Sequence, residues 1–357
     1  MFLIAFVLLI VLSICFPKSK LLMVLWGLFL ITIVVCTKAS SDVIALEYRY
    51  TYKGFAEFPT LFREMMRLFS EHNYTFDQFK FAYICVVALI TILTVCIGSQ
   101  YTSFCMMLIC VYPGWCFSGQ IRNTIGAVIV ALAMVYLVKS DSKKKKWIYT
   151  AAVILATLIH PACIAYLLVL LCLKEQVRVS NKVIIGYVVV IVALYSNLLY
   201  RITSIFIHND RILQYIKVSF TSNLFGSIVV IVGQLVLTYF LVKQLEYAKV
   251  NRIKCGIQEP GNYDLLIRIN QAFLIMVPFY GINHAVFRIF KYLLIVDYCF
   301  IAENAFGGRL IKVKNLAIIL AIAFLSLVAQ VTVDGSIRDV FTIFENIDLG
   351  QMRFIFH

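Results

Sequence analysis

Charged side chains are scarce in this chain. They make up 14% of its 357 residues, against 62% hydrophobic, and mean hydropathy is +0.92. That scarcity excludes a soluble globular domain, which has too little polar surface here to cover so much apolar side chain. Acidic residues are scarcer than basic ones, 18 against 32, leaving a net charge of +14. In so apolar a chain the excess reads as basic loops beside anionic lipid on the cytoplasmic side of a membrane. No nucleic-acid partner is expected. The 11 cysteines include no CxxC pair, and Cys85, Cys96, Cys105, Cys110, Cys163 and Cys172 sit inside apolar runs. They read as small packing residues, not as a disulfide framework or a metal site. The N-terminal MFLIAFVLLIVLSICF lacks a basic stretch and a small-residue cleavage site, so it is expected to stay as a first helix. No DxD, Walker A, HExxH or GxSxG motif is present, which argues against a cytoplasmic nucleotide-using enzyme. Internal repeats, low-complexity tracts and soluble-domain linkers are missing as well.

What is present is a succession of long apolar runs. They predict an all-α, polytopic membrane protein whose residues 1–357 form a single domain. The expected segments are 1–16, 21–36, 81–98, 101–117, 124–138, 147–173, 183–200, 224–242, 269–282, 285–302 and 315–333, some ten to eleven transmembrane or re-entrant helices. Short basic loops occupy 17–20, 139–146, 174–182, 243–268 and 303–314. Residues 37–80 are longer and mixed in charge, and read as a large external loop. Residues 147–173 are interrupted by His160–Pro161 into halves too short to span. Read as one crossing, the run sends the later basic loops outside. Read as a re-entrant pair, it keeps all five loops inside, where they hold more than half of the Lys and Arg. The pair is the expected arrangement.

With that topology the polar residues gather on the external side. SGQIRNTIGAVIV sets Arg122, flanked by Gln120 and Asn123, at the start of an apolar helix. Two readings compete for Arg122. One is a snorkelling side chain at a helix end. The other is an anion site, because a guanidinium binds phosphate or carboxylate with two parallel hydrogen bonds and a helix N-terminus adds positive potential. His160 either satisfies carbonyls freed by Pro161 or serves as a general base, accepting a hydroxyl proton. In GINHAVFR, His284 and Arg288 share a helical face that Tyr292 continues; an interhelical network and a ligand site are both open. Asp42 opens the external loop, and Tyr48, Tyr50 and Tyr52 alternate after it, as interface anchors or sugar-stacking faces.

Three stretches together resemble the EpsG/Wzy family of bacterial polysaccharide polymerases. They are SGQIRNTIGAVIVALA, then KKKKWIYTAAVILATLIHPACIAYLLVL, then NHAVFRIFKYLLI. An arginine after a glutamine opens one helix, a basic loop follows, and a histidine sits within the next segment. Late in the chain Asn283, Arg288, Ile289 and Tyr292 match a recurring patch. The family's early Asp-Tyr-x-x-Tyr pattern is blurred here to Asp42 and Tyr48. The resemblance implies a GT-C-like glycosyltransferase of the inner (cytoplasmic) membrane. It would join oligosaccharide repeat units carried on undecaprenyl pyrophosphate, as donor and as acceptor, without a metal or other cofactor. A chain-length regulator is the further partner implied. In that scheme His160 and Arg122 are catalytic. Gln120, Asn123, Asp42, Tyr48, Asn283, His284, Arg288 and Tyr292 bind substrate. A flippase for the same lipid-linked sugar, or an O-antigen ligase-like enzyme, is the alternative; a flippase would carry pseudo-repeated halves, which the chain does not display.

Overall fold

The structure, a computed structural model, describes residues 2–36, 41–56, 58–173, 198–206, 224–254, 260–281, 287–307 and 311–333. Every regular element among them is helical. The chain divides into two compact units, residues 1–167 with 292–357, and residues 168–291. Two described helices are long and apolar enough to cross a membrane, Phe76–Gly98 and Ile121–Lys139; Leu3–Cys15, Lys20–Cys36, Thr102–Val111 and Val313–Val328 are apolar but shorter. The 174–182 loop, most of the expected 183–200 segment and the tail after 333 lie outside the described residues.

In the first unit the helices are α1 (Phe2–Cys15), α2 (Lys20–Cys36), α3 (Ser41–Thr51), α4 (Thr60–Glu71), α5 (Phe76–Gly98), α6 (Thr102–Val111), α7 (Cys116–Gly119), α8 (Ile121–Lys139), α9 (Lys145–Ile159), α10 (Leu293–Ile301), α11 (Glu303–Phe306) and α12 (Val313–Val333). Side chains of α6 are all buried, whereas α1, α2 and α5 leave Leu3, Val7, Leu28, Val86, Leu89 and Leu93 exposed. An apolar outer face around a sealed core is what a lipid-facing bundle requires. The expected 101–117 segment is broken at Pro113, which has no N–H to donate; Gly114 N–H returns to Ile109 C=O at 2.6 Å.

Contacts fix the direction of each helix. Lys80 Nζ donates to Val35 C=O at 3.1 Å, and Gly27 abuts Ile92, so α2 and α5 run antiparallel. Gly98 faces both Cys299 and Val135, and Tyr83 reaches the first turn of α8, so α5 and α8 run parallel. The basic loops of this unit therefore meet at one end. Lys18 lies 5.2 Å from the Tyr101 ring, Lys139 Nζ donates to Ile97 C=O, and Phe306 of α11 packs on Tyr101 and Phe104. The first turn of α8 lies at the opposite end.

At that opposite end stand α3 and α4, within the segment 37–80 that reads as a loop by hydropathy. Both are amphipathic: α4 buries Phe62 and Met66 and keeps Arg63, Glu64, Arg67 and Glu71 in ion pairs on its outer face. A capping box starts α5, in which Thr75 Oγ1 accepts from Gln78 N–H and the Gln78 side chain accepts from Thr75 N–H.

α8 and α9 form a tight hairpin. A Cβ at Gly126 would stand 2.7 Å from Cys163 Sγ and 3.2 Å from Ala156 C=O, so only glycine lets the helices approach this closely. The chain turns at His160–Pro161 and the 3-10 segment Pro161–Leu167 doubles back along α9, where Tyr149 Oη donates to Tyr166 C=O at 2.9 Å. Gly126→Ala is expected to destabilise the protein by about 1–3 kcal/mol through overpacking, and Cys163→Ala in the same chain should recover part of that loss. Thermal unfolding in detergent measures both; an unchanged midpoint for Gly126→Ala alone would mean that the close approach is not present.

The second unit is built on Leu224–Lys254 packed against Pro260–Phe273. Leu241, Leu245 and Ala248 are buried on one helix, Leu266, Ile269 and Phe273 on the other. Lys249 pairs with Asp264 at 2.6 Å, and Arg268 Nε donates to Cys172 C=O at 2.9 Å.

Candidate functional site

The first turn of α8 is held on each of its faces by a different element. Gln120 precedes the helix with a non-helical backbone (φ -129°, ψ 48°), and its C=O accepts from Thr124 N–H at 3.0 Å and Thr124 Oγ1 at 2.9 Å. Tyr292 Oη lies 3.0 Å from Thr124 Oγ1 and donates to Gln120 Oε1 at 3.4 Å, while its ring packs against Phe117. On the next face the Tyr83 hydroxyl stands between Ile121 C=O, to which it donates, and Ile125 N–H, from which it accepts at 2.9 Å. A side chain thus occupies a place in the helical ladder beside Arg122.

Arg122 is half-buried, with its guanidinium carbon 5.1 Å from the centroid of the buried Phe58 ring. Such stacking suits a guanidinium, which is planar and weakly hydrated. Asn123 is 4% exposed, and among the described residues its Nδ2 has no hydrogen-bond partner. It lies three residues before Gly126 on the face that meets α9 and the returning 3-10 segment. His160 ends α9 at this same level, half-buried, with an extended backbone and its N–H on Ala156 C=O at 2.8 Å.

Five of the sequence-derived residues therefore come to one end of the first unit: Gln120, Arg122, Asn123, His160 and Tyr292. Tyr48 stands apart, 64% exposed, its ring 4.5 Å from that of Tyr52. The Asp42 backbone is helical in α3, but its side chain lies outside the described residues, as do Asn283 and His284 altogether. Arg288 belongs to the short helix Phe287–Lys291 of the second unit, with its side chain likewise outside the description.

Sequence reasoning missed Arg49, whose guanidinium carbon is 5.4 Å from the same Phe58 ring, and Tyr83, which holds the first turn of α8. It also passed over Lys80, buried at the end of α5 nearest this turn. The one local signal was a lysine and a tyrosine within an otherwise apolar run. Between α3, α4 and the start of α5 there is an open cleft of about 430 Å³, lined among others by Glu47, Tyr50, Asn73, Tyr74 and Asp77. Tyr50 Oη donates to Tyr74 C=O at 2.9 Å, and burial pushes its phenol pKa up.

The fold and this constellation define an α-helical membrane protein that presents a cationic, amide-rich turn at one end of a helical bundle. The EpsG family profile matches residues 20–337, and the chain belongs to the EpsG family. Neither the curated proteins nor the solved structures yielded a match. Membership of the family supports a polysaccharide-polymerase type of function.

Proposed function

We propose that this protein is a glycosyltransferase that joins undecaprenyl-pyrophosphate-linked oligosaccharide repeat units, without a metal, on the outer face of the bacterial inner membrane. The observation that carries this reading is that Arg122, Asn123 and His160 all lie at the end of the first unit opposite its lysine-rich loops. Lysine-rich loops face the cytoplasm, so Arg122 and His160 face away from it. The fold is then a multi-pass, GT-C-like arrangement of ten to eleven segments, with 147–173 as a re-entrant pair turning at His160.

The chemistry follows from the residue types. An acceptor hydroxyl oxygen attacks the anomeric carbon of the growing chain. The bond from that carbon to the pyrophosphate oxygen breaks, and its electron pair leaves on the lipid pyrophosphate. His160 takes the hydroxyl proton. Arg122 neutralises the charge that builds on the leaving group, and the Asn123 amide supplies a further donor from the same turn. Gln120 and Tyr292 position that turn through Thr124. Arg288, Asn283, His284 and Asp42 remain binding residues of this scheme, and the cleft beside α3 offers the carboxylate, amide and aromatic groups that hold sugars.

The test is reconstitution. Purified protein in sealed vesicles, with lipid-linked repeat units supplied in the leaflet facing the Arg122 end, should produce a glycan ladder, and a chelator should leave its rate unchanged. Single units that cross the bilayer without becoming longer would instead identify a flippase.

A further inference from the structure

The cleft between α3, α4 and the start of α5 is framed by three pieces of chain that fix one another. On α3, Glu47, Tyr50 and Thr51 share one helical face. α4 ends in a Schellman turn: Tyr74 N–H returns to Phe69 C=O at 3.0 Å, Asn73 N–H to Ser70 C=O at 3.2 Å, and Asn73 takes the left-handed conformation (φ 60°) that such a turn requires. The next residue after Tyr74 is Thr75, whose capping box starts α5 and sets Asp77 in its first turn. Tyr50 Oη, donating to Tyr74 C=O, ties α3 to this corner. The Tyr50 and Phe76 rings make a buried apolar floor, while Glu47, Asn73 and Tyr74 stand exposed at the rim. The floor leads on towards the turn of Arg122: Tyr50 stacks on Phe79 at 5.7 Å, Phe79 lies 6.3 Å from Tyr83, and Tyr83 holds the first turn of α8.

The lining has a chemistry of its own. Its volume of about 430 Å³ falls within the range of small-ligand sites, roughly 300–1,000 Å³. Carboxylates accept from hydroxyl groups, an amide both donates and accepts, and an aromatic face covers apolar C–H. Together they describe a ring that carries several hydroxyls. Although the chain is strongly basic, no Lys, Arg or His among the described residues lines the cleft. Glu47 and Asp77 form no ion pair among the described residues. A metal ion suits the lining less well, because no three His, Cys, Asp or Glu among the described residues are grouped to ligate one.

We infer that this cleft is a subsite for one sugar ring of the repeat unit, and that it selects rings without an acid group, neutral or amino, over uronic acids. The inference rests on the reading of the substrate as a lipid-linked oligosaccharide. Two carboxylates repel a third, and excluding the wrong ligand is one way a site discriminates. The ammonium of an amino sugar is attracted instead. The competing role is a solvated polar corner, with Asp77 favouring the α5 dipole and Glu47 on the outer face of an amphipathic helix.

The experiment measures binding of the full-length protein in nanodiscs to an array of neutral, amino and uronic-acid-containing oligosaccharides. Wild type should hold members without acid groups at least about tenfold more tightly than their uronic-acid counterparts. Glu47→Ala should weaken the neutral members about 10- to 100-fold, the loss of hydrogen bonds to a charged group. Glu47→Gln combined with Asp77→Asn keeps shape and acceptor oxygens but removes both charges, so the uronic-acid members should rise to within about threefold of the neutral ones. Equal wild-type binding of acidic and neutral members would overturn the inference. So would neutral binding unchanged in both Glu47→Ala and Tyr74→Ala, which would place the sugar elsewhere; in either case the oligosaccharide reading stands. Wild-type protein that holds no member of the array would overturn that reading as well. Glu47 is exposed, so Glu47→Ala should unfold near the wild-type temperature, which identifies its binding loss as local; the charge-neutral double variant carries the same test should the alanine variant fold poorly.

Discussion

Replacing Arg122 by lysine is expected to slow chain extension about 10²- to 10³-fold, the usual effect of removing one preorganised donor at a developing anion. The substitution keeps the positive charge and a cation for the Phe58 ring, so folding and insertion should be preserved. What it removes is the planar fork that grips two oxygens at once. Its position sharpens the expectation. Tyr83 and Tyr292 hold the neighbouring faces of the turn, so a lysine there has a fixed backbone and no second arm. Initial rates of ladder formation by purified protein decide the matter. Long chains made by Arg122→Lys at the wild-type rate would reduce Arg122 to a snorkelling side chain.

His160→Ala is expected to lower the same rate about 10²- to 10⁴-fold, the range for a positioned general base. The backbone contacts of His160 survive the change, because its N–H and C=O bond to Ala156 and Cys163 whatever the side chain. A base must be neutral to accept a proton, so the wild-type rate should fall on the acid side of its pH profile. His160→Ala and His160→Gln should both lose that acid limb. A side chain that merely satisfies carbonyls near Pro161 behaves otherwise: glutamine would then keep the rate, and the acid limb would persist. Measuring kcat and KM separately adds a second distinction, since loss of a base falls on kcat.

Much of the fold was legible because it depends on local properties. Hydropathy over a bilayer's thickness marks a span wherever its neighbours lie, so α5 and α8 are found within a few residues of their bounds. Pro161 ends α9 through its own missing N–H, and Gln120–Arg122–Asn123 announces a polar helix start by its isolation among apolar residues. The amphipathic helices α3 and α4 were not legible to the same measure. Their mean hydropathy is low, and their apolar faces matter only once α5 and the α8–α9 pair supply something to cover.

The tyrosines of α3 show where sequence stops. Tyr48, Tyr50 and Tyr52 look like a set when written in a line. On a helix they point apart: Tyr48 meets Tyr52 in solvent, while Tyr50 is buried between Phe55, Phe76 and Phe79. Arg49, between two of them, turns instead to Phe58, the ring over which Arg122 also lies. By itself the sequence determined a basic, all-helical membrane chain, with an arginine and a histidine at two helix ends, because length, apolarity and proline act on the chain near where they occur. Only the tertiary structure decided that those two ends coincide, that Tyr83 and Tyr292 hold the arginine's turn, and that a second arginine shares its ring. Those are contacts between residues distant along the chain, created by helix directions and close crossings at Gly126 and Gly98 that no local pattern encodes.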